Sequence, residues 1–386
     1  MNASSLTRQR ITVRRATTAA TGPDQAAGEL HAGLRQDELS LVLLFCSPTM
    51  AQPGLAAAMA ERFPGVPVVG CTTAGEISPS GYQHGSVSGV SFAAPHFQSV
   101  VRVIPDVRRF SVADGKALVQ DAMRALDRRA PGWTAEKTFA MLLIDGLAAC
   151  EEAVLSALYA ELGPIPLFGG SAGDELEFRS TLVLADGAFR RCAAALVLVA
   201  TDHPFRVFKT EHFVVTDEKM VITGADPLRR IVTEINAEPA AREYARAVGS
   251  TLDQLMPTTF ANHPLVVKVG GVPYVRSIQK VNADNSLTFF CAIDEGIVLS
   301  VAYGIDIAED LRALFSRLHG EIGMPEVVIG CECILRSLEL RQRGLERTAE
   351  GLMTANNVVG FKTYGEQYHA MHVNQTFTGV AIGRLD

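Results

Sequence analysis

"VVGCTTAGE", Val68 to Glu76, returns near the other end of the chain as "VVGFKTYGE", Val358 to Glu366, with Val, Val, Gly, Thr, Gly and Glu at the same relative positions. A third version, "LFGGSAGDE", Leu167 to Glu175, stands between them. Each copy has the same surroundings. Ahead of the first, "LVLLFC" (Leu41 to Cys46) reads as a buried strand and "PGLAAAMAERF" (Pro53 to Phe63) as a helix with Pro at an early position. After it, "GSVSGVSFA" and "FQSVVRVI" alternate in the strand manner around "APH", which predicts a hairpin.

The same order recurs as "TFAMLLID", the helix "EEAVLSALYAEL", the second corner and two further strands. It recurs again as "PEVVIGCECIL", a polar helix ending near Thr354, the third corner and "HVNQTFTGVAIG". With one residue deleted in the second loop, Gly70 matches Gly169, and Ala74, Gly75 and Glu76 match Ala172, Gly173 and Asp174. Gly70 to Gly89 and Gly360 to Gly379 span the same nineteen-residue interval. Repetition at this length predicts duplicated α/β units rather than a short-period solenoid.

A chain of 386 residues exceeds the roughly 250–300 at which single cores stop growing. The expected fold is therefore α/β: two mixed α/β domains built from repeated strand-helix-strand-loop-hairpin units. The boundary falls near Asp202 to Val207, where the second repeat closes. This gives domains over 26–205 and 206–386, the second holding the third repeat. Residues 1–25 are expected to be a flexible basic tail, with four arginines, no acid up to Gly22 and one edge strand, "ITVRRA". They lack the long apolar region of a secretory signal.

No apolar run approaches the ~18 residues of a membrane helix. A net charge of −7 argues against nucleic acid, whose phosphates need a basic surface. Seven scattered cysteines, an odd number, suit a reducing, cytoplasmic setting. "CEC", Cys331 to Cys333, places two sulfurs on one strand face and reads as two small buried side chains.

The corner glycines allow positive φ and close backbone approach, and their amides could cradle an anion or a carbonyl. No corner carries the Walker or G-x-G-x-x-G pattern, so nucleotide binding is not indicated. An acid follows the second glycine each time: Glu76, Asp174, Glu366. "GGSAG" is a literal G-x-S-x-G around Ser171, but the segment after it reads as turn and strand, without the helix of a nucleophile elbow. Asp294 ends the strand "LTFFCAI", and Arg276 and Arg336 flank apolar strands. Each could meet an anionic or polar ligand, against the plainer readings of a turn residue and surface salt bridges.

Taken in order, "VVGCTTAGE", "LFGGSAGDE", "NHPLVV", "PYVRSI", "LTFFCAIDEG", "CECILR" and "HVNQTFTGVAIG" resemble the FIST family of bacterial signal-transduction sensors, from about His31 to the C-terminus. The resemblance implies a FIST N-terminal and a FIST C-terminal domain, and a non-enzymatic cytoplasmic module. Such a module binds a small, amino-acid-like ligand and regulates a separate histidine kinase or cyclic-di-nucleotide enzyme. One branch of the family implies non-covalent heme for nitric oxide sensing. With no C-x-x-C-H attachment motif, His372 is the first choice of axial ligand, followed by His263 and His212. The ligand site is expected where the domains face each other, at Arg276, Asp294, Arg336, Glu366, Asn374 and Thr376. A serine hydrolase using Ser171 and an adaptor without ligand are the alternatives.

Overall fold

The computed structural model describes residues 11–385. The chain repeats one order of elements three times. The first unit runs β1 (Val13–Thr18), α1 (Pro23–Leu34), β2 (Leu39–Cys46), α2 (Pro53–Arg62), β3 (Val68–Thr72), a short hairpin β4 (Glu76–Ser78) and β5 (Gly81–Gln83), then β6 (Val87–Ala93). The second runs β7 (Phe97–Ile104), α3 (Val112–Arg129), β8 (Thr138–Ile144), α4 (Glu151–Leu162), β9 (Leu167–Ser171), hairpin β10 (Val183–Ala185) and β11 (Ala188–Arg190), then β12 (Ala194–Thr201).

The third unit opens with β13 (Phe205–Glu211) and is then interrupted by an inserted body. The insert comprises β14 (Phe213–Asp226), β15 (Ile231–Ile235), β16 (Glu238–Pro239), α5 (Ala240–Ala247), α6 (Pro257–Asn262), β17 (Leu265–Val269), β18 (Val272–Arg276), β19 (Ile278–Val281), β20 (Leu287–Phe289) and β21 (Val298–Gly304). The unit resumes with α7 (Ile307–Ile322), β22 (Val327–Cys333), α8 (Ile334–Gln342), α9 (Glu346–Ala355), β23 (Val358–Thr363), hairpin β24 (Glu366–Tyr368) and β25 (Met371–Val373), and β26 (Thr376–Ile382).

Each unit builds four strands of a six-stranded sheet and takes the last two from another unit. The orders are β1-β6-β2-β3-β10-β11, β7-β12-β8-β9-β24-β25 and β13-β26-β22-β23-β4-β5. The second unit's hairpin thus completes the first sheet, the third unit's the second, and the first unit's the third. Exchange runs in a closed ring.

Sheet faces explain the apolar runs. Leu43 and Phe45 of β2, Met141 and Leu143 of β8, and Ile329 and Cys331 of β22 meet in one central core. The opposite faces are covered by α1 and α2, by α3 and α4, and by α7 and α9. Strands buried on both faces lose polar alternation, as in parallel sheets flanked by helices. The insert forms its own sheet and core around Ile222, Tyr244, Phe260 and Leu299. Its two ends are neighbours: Phe213 pairs with Gly304, and the Ile305 amide donates to the His212 carbonyl at 2.7 Å.

One expected pairing changes, and the tail and the domain boundary gain detail. β6 and β7 do not pair across Ala94 to His96; β6 joins β1 and β2, while β7 pairs with β12 in the next sheet. A strand's alternation is the same whichever edge it joins. Of the tail expected over 1–25, residues 1–10 lie outside the described residues, Val13–Thr18 pairs with β6, and α1 begins at Pro23. Two of the three six-stranded sheets draw strands from both sides of residue 205.

Candidate functional site

The repeated corners meet at the ends of β3, β9 and β23. Gly70 stands beside Leu44 and Leu184, Gly169 beside Leu142 and Gln367, and Gly360 beside Gly330 and Ile77. The three glycines are therefore equivalent in register. A Cβ at any of them would lie 2.0, 2.0 or 1.8 Å from the carbonyl oxygen of Leu44, Leu142 or Gly330 respectively, which explains why only glycine recurs there.

The corner amides serve one another rather than a ligand. Ala74 N donates to Lys362 O at 2.8 Å, Lys362 N to Gly75 O at 2.8 Å, Ser171 N to Gly365 O at 2.8 Å, and Gly173 N to Thr72 O at 3.0 Å. The anion cradle expected from the glycines is thus closed by cross-unit hydrogen bonds. The acids lock the hairpins. Glu366 accepts from Thr376 N at 3.1 Å and Thr376 Oγ1 at 2.7 Å, and Glu76 accepts in the same way from Ser86. Asp174 is not their counterpart. Val183 holds that register position, while Asp174 accepts from Tyr364 Oη and from the amides of Phe178, Arg179 and Ser180.

A buried cluster of polar side chains forms where β9, α4 and the β24–β25 hairpin face the insert. Ser171 Oγ donates to Glu151 Oε1 at 3.1 Å and accepts from Gln367 Nε2 at 3.0 Å. Arg230, from the insert, reaches Glu151 and Glu152 at 2.6 Å each, and Glu152 also accepts from Ala292 N at 2.6 Å. His372 and Asn374 crowd Gly365 closely enough that a Cβ there would lie 2.3 Å from His372 Cε1 and 3.0 Å from Asn374 Nδ2. Asn374 Oδ1 accepts from Ser277 N at 3.4 Å.

Several groups of this cluster have no hydrogen-bond partner among the described residues: Arg276 Nε and Nη1, Ser277 Oγ, Gln367 Oε1, His372 Nε2 and Asn374 Nδ2. Burial lowers the His372 pKa below the ordinary value, with Glu151 and Glu152 pulling the other way. Gln367 Nε2 lies 3.5 Å from His372 Nδ1, while its closer acceptors are Ser171 Oγ at 3.0 Å and Gly365 O at 3.3 Å. Burial pushes the neighbouring Cys291 thiol up to about 11 despite the pull of Arg276.

Of the residues expected at the site, Arg276, Asn374 and His372 converge, and Glu366 with Thr376 braces the hairpin behind them. Arg336 lies elsewhere, on α8, with Nη1 donating to His212 Nδ1 at 2.8 Å. Asp294 is exposed and accepts from the next amide, as a turn residue does. The sequence reading missed Glu151, Glu152, Arg230, Ser277 and Gln367. Glu151 and Glu152 open a helix, where acids are common, and nothing local marks Arg230. Gln367 carried a usable signal, since it lies one residue beyond the repeated Gly-Glu.

Two of the three histidines, His212 and His372, do not fit a heme. Both ring nitrogens of His212 are engaged, by Arg336 and by Glu339 at 2.6 Å. His263 is half-buried beyond α6, with its carbonyl accepting from Tyr244 Oη. His372 has a free Nε2, but its walls are Gly365, Asn374 and Gln367, with the charges of Glu151, Glu152, Arg230 and Arg276 around it. A porphyrin needs apolar faces. Ser171 likewise lacks an elbow: it ends β9, no helix follows directly, and its hydroxyl bonds Glu151 and Gln367 rather than a histidine.

No helix among the described residues is long and apolar enough to cross a membrane. No curated protein matches the chain. A solved structure, a cyanuric acid hydrolase from A. caulinodans, is similar at 10% identity over 97% of this chain and 99% of that one, with a TM-score of 0.40. The FIST N domain matches residues 40–238 and the FIST C domain residues 240–369. Together with the repeated corners and the inserted body, these matches show that the chain belongs to the FIST family of sensory domains in signal transduction.

Proposed function

We propose that the chain is a cytoplasmic, non-enzymatic sensor whose small ligand is held in the pocket between the third corner and the insert. One observation carries the reading: buried, unpartnered polar atoms of Arg276, Ser277, Gln367, His372 and Asn374 point into one place. Buried polar groups are normally paired, so such a concentration calls for a polar guest. Arg276, Ser277 and Asn374 offer donors, and Arg276 is the residue type best shaped for a carboxylate. Gln367 Oε1 supplies an acceptor, beside carboxylates already held by Arg230. An amino-acid-like carboxylate suits this set.

Because the pocket is shared between the insert and the second and third units, occupancy changes how they pack, and a histidine kinase or cyclic-di-nucleotide enzyme reads that change. A thermal-shift and calorimetric screen of amino acids and small carboxylates tests the reading. A stoichiometric binder is expected whose affinity falls about tenfold or more in Asn374→Ala and Arg276→Met while far-UV dichroism is unchanged, about 1.4 kcal/mol or more per group. Unchanged affinity in both variants moves the ligand elsewhere. A stoichiometric Soret band on heme addition, lost in His372→Ala, would replace the carboxylate by heme.

A further inference from the structure

A second buried cluster occupies the matching place in another sheet. Two residues beyond the repeated glycine, the first unit has Thr72, the second Ser171 and the third Lys362. Lys362 is fully buried, yet its Nζ has no hydrogen bond and no ion pair among the described residues; it lies over the Tyr82 ring, 4.1 Å from the centroid. Around it, both carboxylate oxygens of Glu332, the Tyr82 hydroxyl and Nε and Nη2 of Arg336 also lack hydrogen bonds. Glu332 and Arg336 are themselves fully buried and approach only to 3.8 Å.

Buried charges are ordinarily paired and hydrogen-bonded; Arg336 keeps His212 and a 3.5 Å approach to Asp310 through Nη1, but its Nε and Nη2, Lys362 Nζ, the Glu332 carboxylate and the Tyr82 hydroxyl converge without hydrogen bonds, an arrangement that serves something other than stability. Burial lowers the Lys362 pKa, against the pull of Glu332, and favours the neutral, nucleophilic amine. Burial also raises the Tyr82 phenol well above its ordinary value, which keeps it a hydrogen-bond donor. Tyr82 is half-buried on the short hairpin, next to exposed His84. A Cβ at Gly75 would touch His84 Cε1 and Lys362 Cδ at 3.1 Å each, so the stem of Lys362 lies close beneath the surface.

The geometry points to Lys362 as a covalent, reversible receptor for a small carbonyl acid, an aldehyde or ketone bearing a carboxylate, which it holds as an imine. The Nζ lone pair attacks the carbonyl carbon, forming the C–N bond as the C=O π pair moves to oxygen. Glu332 takes a proton from nitrogen and returns it to that oxygen, and Tyr82 hydrogen-bonds the oxygen throughout. The hydroxyl of the carbinolamine then leaves, collecting the remaining nitrogen proton through Glu332. One amine and one carbonyl give one imine and one water, with no redox change. Arg336 Nε and Nη2 receive the carboxylate.

Reductive trapping tests this on the full chain. Protein is incubated at neutral pH with glyoxylate or with propanal plus cyanoborohydride, and all seven lysines are mapped by peptide mass. The expected result is one adduct per chain at Lys362 before any other lysine reaches a tenth of that level, with glyoxylate at least tenfold faster than propanal. Glu332→Gln and Tyr82→Phe should slow trapping fivefold or more, Lys362→Arg should abolish it, and Lys280→Arg, at an exposed lysine outside both clusters, should leave it unchanged. Wild-type protein in which Lys362 stays unmodified while the other six lysines react would overturn the proposal. Equal rates for the two aldehydes would overturn the carboxylate assignment.

Discussion

At Glu76 a carboxylate has been placed where water cannot reach it. It is fully buried, and burial raises its pKa to about 7, although the Ser86 hydroxyl and amide and the Thr73 hydroxyl all stabilise the charged form. The folded state therefore holds a proton that the unfolded chain, with an ordinary value of 4.5, has released. Between those two values stability falls as pH rises, because the native state binds the more protons there. The loss amounts to about 3 kcal/mol by pH 8, since each pKa unit corresponds to about 1.4 kcal/mol. Glu76→Gln keeps an oxygen to accept from Ser86 and carries no titratable proton. Its unfolding free energy should lose this slope, so that the variant gains on wild type steadily from pH 5 to pH 8 in urea titrations. Parallel wild-type and variant curves would mean that Glu76 is not the titrating group.

Single elements show which features the letters could carry. The corners were legible because glycine at Gly70, Gly169 and Gly360 answers a backbone contact that every copy must make. Hairpin exchange was not, because a three-residue strand such as Glu76–Ser78 has the same pattern whether it joins its own sheet or its neighbour's. The second unit's acid aligns by letter only, for a related reason: the loop between β9 and β10 is longer, so Val183 rather than Asp174 holds the register position. Buried charges were the least legible, since nothing in the neighbouring letters of Lys362 and Glu332 shows that distant segments enclose them.

The link between α4 and the insert makes a measurable case of the last kind. Arg230 adopts a left-handed φ of 55° and sends its guanidinium to Glu151 and Glu152. Burial works against the charge, but the two carboxylates outweigh it and hold the pKa above the ordinary value. Removing one partner of such a pair strands the others. Arg230→Met should cost about 3–5 kcal/mol in chemical denaturation, more than a surface arginine. The triple variant with Glu151→Gln and Glu152→Gln should recover part of that loss, because no buried charge then remains unpaired. A cost near zero for Arg230→Met would show that the two carboxylates are already solvated.

For the whole molecule, the closed exchange of hairpins and the inserted body make opposite claims about what can be removed. A fragment of residues 11–204 contains every strand of the first two units, but its second sheet lacks β24 and β25, and its own β4 and β5 have no β23 to join. Exposed edges of this kind favour association over folding. Excision of 213–304 leaves all three six-stranded sheets complete, and the cut ends are already neighbours, with the Ile305 amide bonded to the His212 carbonyl. Two or three glycines suffice to bridge them. The excised chain should therefore keep the oligomeric state of the full chain and unfold in one cooperative step, at lower temperature because Phe290 no longer covers Tyr364 and Phe178. It should not bind the carboxylate ligand, having lost Arg276 and Ser277, yet it should still trap glyoxylate, because Lys362, Glu332, Tyr82 and Arg336 all remain. Fragment 11–204 should show no cooperative transition and should elute as aggregate. A monomeric, cooperatively melting 11–204 would show that the exchanged hairpins are not what holds the three units together, and loss of both binding activities on excision would show that the insert sustains the whole core.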